Sequence, residues 1–263
     1  MKKENNILQH FSNDEKEFAE KIIDLCYQVE NTYSYRLTQF INPRQVNIVN
    51  QIANYFQLSM YLMGEGAPFE YSRVIIAPAY YELDYKNFEV MALEISYSRK
   101  FHQLSHSQVL GSFLHRLGMK REFLGDIFVG EEKLVVMIDQ KFGYLAMQEV
   151  AKIAKVPVKI SETDWTRIDF DTDSKNKTKE VLVSSLRLDK LIAVAFNVSR
   201  TSATKLIESG QVKLDYVTIE QTSKIVEIGQ LISVRKFGRI HVDEFLGFSK
   251  QGKVKLKLDI VKT

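Results

Sequence analysis

The 263-residue chain has 45% hydrophobic and 26% charged residues, ordinary globular proportions and enough length for two or three domains. It has no run of 18 apolar residues, and Cys26 is its only cysteine, which excludes a helical membrane span, an intrachain disulfide and a cysteine-based zinc site. The formal charge of +3 is unevenly spread: residues 184–263 carry 14 Lys and Arg against 8 Asp and Glu, and the preceding 183 residues carry 22 against 25. A basic C-terminal third is the electrostatic footprint expected of a nucleic-acid binder.

Ser12-Asn13-Asp14-Glu15 has the polar, acidic character of a helix start, and Phe18, Ile22, Leu25, Cys26 and Val29 follow at helical spacing. On that apolar face Cys26 reads as a small buried hydrophobe rather than a nucleophile. Asn42-Pro43 opens a second helix, expected from Arg44 to about Met63 with Val46, Val49, Ile52, Ala53, Phe56, Met60 and Tyr61 along it. The Gly64-Glu65-Gly66-Ala67-Pro68 loop has no third glycine and no Lys-Ser/Thr after it, unlike a phosphate loop. Residues 1–72 are therefore expected to form a helical N-terminal lobe.

From Arg73 short strands alternate with helices. Strands are expected at 74–78, 88–95, 124–129, 134–138 and 156–160, and helices at 105–117, ended by Gly118, and 144–154. From residue 88 the order is βαββαβ, that of a ferredoxin-like split βαβ sheet, also used by RNA-recognition motifs. The expectation is a ferredoxin-like, RRM-like middle domain over 73–170. A fold alone does not license RNA binding, and the aromatic platform is not convincingly present, since Phe123 and Phe128 read better as core. His115, Arg116, Lys120 and Arg121 surround a helix stop, either touching a phosphate backbone or sitting solvated at a helix end. Residues 171–180, DTDSKNKTKE, are polar, and 171–183 read as a linker.

The informative stretch is 186–214. Leu188, Leu191, Ile192, Ala195 and Phe196 make one buried helix face. Ser199 caps a second helix carrying Ala203, Leu206 and Ile207, Gly210 stops it, and Gln211 to Leu214 alternates like a strand. Arg187, Lys190, Arg200, Lys205 and Lys213 sit at helix starts and on exposed faces. Together with free helix N–H groups they would suit phosphates, or they are solvated lysines of an ordinary helix pair. Farther on, Arg235-Lys236-Phe237-Gly238-Arg239 joins cations to an aromatic in a way that suits backbone contact and stacking. The strictly alternating 252–260 reads as a terminal strand, an edge guarded by lysines or an extension of the basic surface.

Arg187-Leu188-Asp189, Ser199-Arg200, Leu206-Ile207, Gly210 and Val212-Lys213-Leu214, with Gly229 before Leu231-Ile232-Ser233-Val234, resemble the S-4 domain, an RNA-binding module. That resemblance covers about 184–240. Asp215-Tyr216 stands where the family commonly has Asn-Gly, so the turn there is expected to differ. More widely, Phe40-Ile41-Asn42-Pro43-Arg44, Leu117-Gly118-Met119-Lys120-Arg121 with Gly125-Asp126-Ile127, Ser184-Ser185-Leu186-Arg187-Leu188-Asp189 and Ile232 to Arg239 resemble the YlmH family of bacterial S-4-domain proteins. Lys236 often has glycine in its place in that family.

The resemblance implies an α+β chain with a helical N-terminal lobe, an RRM-like middle and an S-4 domain over 184–263, two helices packed on a small, mainly antiparallel sheet. It implies binding to structured RNA, ribosomal RNA or tRNA, on the large ribosomal subunit during ribosome-associated quality control. The contact residues implied are Arg187, Lys190, Ser199, Arg200, Lys205 and Lys213, with Arg235 and Arg239. No cofactor, metal or membrane partner is expected, and the protein is expected to be a cytoplasmic monomer. The competing class is an RNA-modifying enzyme, such as one like the pseudouridine synthases, targeted by its S-4 domain. Against it, His102 and His106 lack the zinc-protease glutamate. Asp84, Asp126 and Asp139 are scattered, and Arg187-Leu188-Asp189 starts a helix rather than a catalytic loop. A protein-binding adaptor is a third class, marked by an exposed apolar patch on the N-terminal lobe.

Overall fold

A computed structural model describes residues 7–9, 11–64, 66, 69–130, 133–164 and 177–262. The chain divides into two compact units, Met1–Thr172 and Asp173–Thr263.

The first unit begins with α1 (Asn13–Thr32), where the Glu15 carboxylate accepts from the Ser12 N–H at 3.1 Å. In α2 (Pro43–Tyr55) the Asn42 side chain accepts from the Gln45 N–H and proline fills the first turn. This helix does not run on to Met63. Leu58 N–H closes it on the Ala53 carbonyl at 2.9 Å, and Gln57 turns the chain at φ 57°. Met60 and Tyr61 instead lie on strand β2 (Ser59–Leu62), which pairs with β3 (Val74–Ala77), itself paired with β1 (Arg36–Leu37). The N-terminal lobe thus owns a three-stranded sheet, and β3 belongs to it rather than to the middle domain.

The reason is that β3 is buried on both faces. Val74 and Ile76 pack against α1 and α2, while Ile75 and Ala77 face the next sheet. That sheet contains β4 (Val90–Ser96), β5 (Leu124–Val129), β6 (Leu134–Asp139) and β9 (Lys159–Thr163), in the antiparallel order β5-β6-β4-β9. With α3 (His106–Leu117) and α4 (Gln140–Glu149) between the strands, the topology is that of a split βαβ unit. The helix begins earlier than expected because the Asp139 carboxylate accepts from the Lys141 N–H at 3.0 Å. It also ends earlier, at Glu149, and the small hairpin of β7 (Lys152–Ile153) and β8 (Val156–Pro157) follows.

An RNA-recognition motif needs one open sheet face on which bases stack. Here neither is open. Met91, Leu93, Val136 and Ile138 pack under α3 and α4. On the other face Ala92, Val135 and Met137 pack against Phe40, Met63, Ile75 and Ala77 of the N-terminal lobe. Phe128 joins that second layer, edge-on to Phe69 at 5.8 Å, and Phe123 packs on Phe142 at 5.2 Å. Both phenylalanines are core, and the RRM-like label is not carried beyond topology. Gly125 permits the close approach, since a Cβ there would stand 2.6 Å from the Phe40 ring.

Polar groups also tie the lobe to the sheet. Buried Arg73 donates to the carbonyls of Thr38, Phe88 and Glu89 and to Asp139 Oδ2 at 3.1 Å. Asp126 Oδ2 accepts from the Glu70 and Tyr71 N–H groups at 2.7 and 3.2 Å. Burial pushes the Asp126 carboxyl up to about 6 against the pull of those two bonds. Cys26 is buried, and its thiol is pushed up to about 12, which agrees with an inert core role.

The second unit is one six-stranded antiparallel sheet with two helices. Its strands are β10 (Lys177–Val183), β11 (Val212–Leu214), β12 (Val217–Thr218), β13 (Leu231–Val234), β14 (Gly238–Phe248) and β15 (Val254–Lys262), in the order β10-β15-β14-β13-β11-β12. Residues 177–183 are therefore a strand rather than the end of a linker, because Val181 and Val183 enter the core beside Leu256 and Val254. Positions 171–176 lie outside the described residues. Nor is β15 an edge: it sits between β10 and β14, and Lys255 and Lys257 pair with Glu180 and Asp243, each at 2.7 Å. The Asp215-Tyr216 turn keeps the expected hairpin, with both residues at positive φ, 46° and 71°, the geometry of a two-residue I′ turn. Asp215 accepts from the Leu231 N–H and the Gln230 amide, which holds the conformation without glycine.

Helices α5 (Leu188–Phe196) and α6 (Arg200–Glu208) cover one face of this sheet. Their corner follows the sequence: Asn197 takes φ 57°, the Ser199 hydroxyl accepts from the Ser202 N–H at 3.0 Å, and Gly210 turns at φ 67°. Leu191 has no exposed surface. Leu191→Ala is therefore expected to cost this unit about 2–5 kcal/mol, readable as a lowered denaturant midpoint with an unchanged slope.

Candidate nucleic-acid interface

The side chain that organises the basic corner is acidic. Asp189, in the first turn of α5, is 1% exposed. Its carboxylate accepts from Arg187 Nε and Nη2 at 3.1 and 3.0 Å and from Arg200 Nε at 2.8 Å. Burial works against its ionisation, but the two guanidiniums hold the carboxyl below the usual carboxylate range. Two arginines eleven or more residues from one another in sequence are thus fixed side by side at the junction of the helices. The Arg200 side chain remains 58% exposed, so its free guanidinium edge is open to a ligand.

The other implied contact residues divide between two surfaces. Lys190 is half-buried, with Nζ donating to the Ser184 hydroxyl at 2.7 Å, and Lys205 is exposed on α6. These two share the helical side with Arg187 and Arg200. Ser199 is on that side too, and its hydroxyl serves the cap and Ser202 Oγ at 2.7 Å. Lys213 lies on the other face of the sheet: it sits between Val212 and Leu214, which enter the core beneath the helices. Register places it beside Ser233, which pairs with Arg239. Arg235 follows the end of β13, exposed, with its N–H on the Gln211 carbonyl. The structure therefore brings Arg187, Lys190, Arg200 and Lys205 together and separates Lys213 and Arg239 from them.

Two expectations are corrected. The N-terminus of α5 is not open to phosphates, because the Leu188 and Asp189 N–H groups donate to the Lys224 and Thr222 carbonyls at 2.9 and 3.4 Å. Phe237 is not an exposed stacking ring but packs on Phe196 at 5.6 Å against the core. Among the described residues, His241, Asp243 and Asp259 bring possible metal-ligating atoms within 4.8 Å of one another. Asp243 is held by Lys257 and Asp259 by the Thr178 hydroxyl, so both carboxylates are already engaged.

Three family models match the chain in succession: "YlmH, N-terminal" over residues 14–81, "Putative RNA-binding domain in YlmH" over 84–167, and "S4 domain" over 186–232. A solved structure described as cell division protein ylmH from Streptococcus pneumoniae is 37% identical. The match covers 98% of that chain and 61% of this one, with a TM-score of 0.54. The chain belongs to the YlmH family. The ribosome-associated protein quality control protein P2 of Bacillus subtilis (strain 168) is also similar, 28% identical over 251 residues that cover 94% of this chain and 96% of that protein. YlmH membership agrees with the S-4 helix pair, and it places the Asp189 cluster inside the RNA-binding module.

Proposed function

We propose that this YlmH-family protein is a noncatalytic RNA-binding protein that docks on the structured RNA of the large ribosomal subunit, ribosomal RNA or tRNA, during ribosome-associated quality control. The observation that carries this reading is the pair of guanidiniums pinned by buried Asp189 on the exposed side of the S-4 helices. A fixed pair of forked donors flanked by Lys190 and Lys205 suits recognition of phosphate positions and RNA shape more than of base sequence. The name of the Bacillus subtilis relative supports the ribosome as host.

Co-sedimentation with purified large subunits at graded salt tests the reading. Wild type is expected to pellet with subunits at low salt and to be released as salt rises, because counterion release makes phosphate contacts salt-dependent. Retention in the supernatant at every salt concentration would refute the ribosomal assignment. The Lys190→Ala/Lys205→Ala variant is expected to be released at lower salt, since neither lysine holds Asp189 and both substitutions leave the fold intact.

A further inference from the structure

We infer that the middle domain carries a second RNA-contacting surface, on its helical side, where the exposed face of α3 forms a cleft that seats backbone phosphates. Residues 95–121 contain Arg99, Lys100, Arg116, Lys120 and Arg121, three histidines and no Asp or Glu. The rest of the first 183 residues carries 17 Lys and Arg against 25 Asp and Glu. A block of one sign inside an oppositely charged unit is a focused field rather than a uniformly solvated surface.

The helix turns this block into a site. Ser107, Gly111 and His115 recur at intervals of four, as do Gln108, Ser112 and Arg116, so two adjacent rows share one face. All six line a cleft of about 650 Å³, with Ala154 and Glu149 on its opposite wall. The β7–β8 turn that supplies Ala154 also carries exposed Lys152 and Lys155, and the Ala154 N–H donates to Ser112 Oγ at 3.4 Å. Hydroxyls, an amide and a guanidinium around an open concavity match the oxygens of a sugar-phosphate chain. Before the helix, Phe101 is 75% exposed, with Lys100 Nζ 5.8 Å from its ring centre. That ring is available to stack on an unpaired base at the rim.

The rest of the fold leads to the same surface. Since both sheet faces are covered, RNA cannot reach this domain as it reaches an RNA-recognition motif, and the acid-free helical side is the route that remains. Gly111 keeps the floor of the cleft open. A Cβ there would meet nothing within 4 Å, and a helical glycine is otherwise a loss to the helix.

The test uses the full chain with unfractionated tRNA as the structured RNA probe, at several salt concentrations, with thermal melts to show that each variant is folded. Gly111→Glu, which places a carboxylate on the cleft floor, is expected to weaken binding severalfold, while Gly111→Ala binds like wild type. Arg116→Ala is expected to lower the slope of log affinity against log salt by about 0.7–0.9. Wild-type affinity and slope in both Gly111→Glu and Arg116→Ala would overturn the inference. It does not depend on the S-4 reading: the Lys190→Ala/Lys205→Ala variant, measured alongside, reports that reading separately.

Discussion

Arg187→Ala/Arg200→Ala is expected to lose RNA binding and also to destabilise the C-terminal unit by about 3–5 kcal/mol, because it strands a buried carboxylate without partners. Asp189 has no other ion-pair partner among the described residues. The two effects separate by dose. Arg200→Ala alone leaves the bidentate Arg187 contacts in place, so it should weaken binding at a smaller cost in stability. Hydrogen exchange is the suitable measurement, since amides of 177–262 report this unit alone. Protection equal to wild type in the double variant would show that Asp189 needs neither arginine. The same geometry fixes a pH response. The Asp189 carboxyl is held below its unfolded value, so its contribution is present above that unfolded value, about pH 4, and is lost as pH falls through the lower folded one. Acid should therefore loosen the helix corner, and Asp189→Asn should flatten that response.

Arg73→Ala is expected to cost the N-terminal unit a similar amount, about 3–5 kcal/mol, from a different arrangement. Arg73 is 3% exposed and joins three backbone carbonyls to Asp139. Removing it leaves Asp139 buried beside a weak contact, Lys141 Nζ at 3.8 Å, and leaves the Thr38, Phe88 and Glu89 carbonyls short of a donor. Those carbonyls flank the two layers of sheet, so the predicted change is a lower denaturant midpoint for the whole unit. Exchange that rises only in 7–64 while the β4–β6 amides stay protected would show that the lobe and the sheet unfold independently.

The S-4 helix pair was legible because its determinants are local. Apolar spacing, the Ser199 cap and Gly210 all act within a few residues, and the helices appear where those signals place them. The N-terminal sheet was not. Val74 to Ala77 is a continuous apolar run, and such a run does not say which sheet it joins or that both its faces are covered. Likewise β15 alternates as an edge strand does, yet its neighbours β10 and β14 are set by pairing across more than 70 residues of chain on one side. Asp189 illustrates the limit at the candidate site. An aspartate in a first turn reads as a complement to the helix dipole. Its burial depends on Arg200 arriving from the next helix and on the Thr222–Lys224 carbonyls closing over the helix start. The separation of Lys213 from the helical cations was available from strand alternation alone, since Val212 and Leu214 had to face the core.

The central claim is that the exposed helical side of the S-4 pair docks RNA through phosphate contacts. Its most direct measurement is the salt dependence of affinity for unfractionated tRNA, wild type against Lys190→Ala/Lys205→Ala. Two lost contacts are expected to lower the slope of log affinity on log salt by about 1.4–1.8 with no change in melting temperature. An unchanged slope and affinity in that folded variant would contradict the account and move the RNA-binding surface elsewhere on the chain.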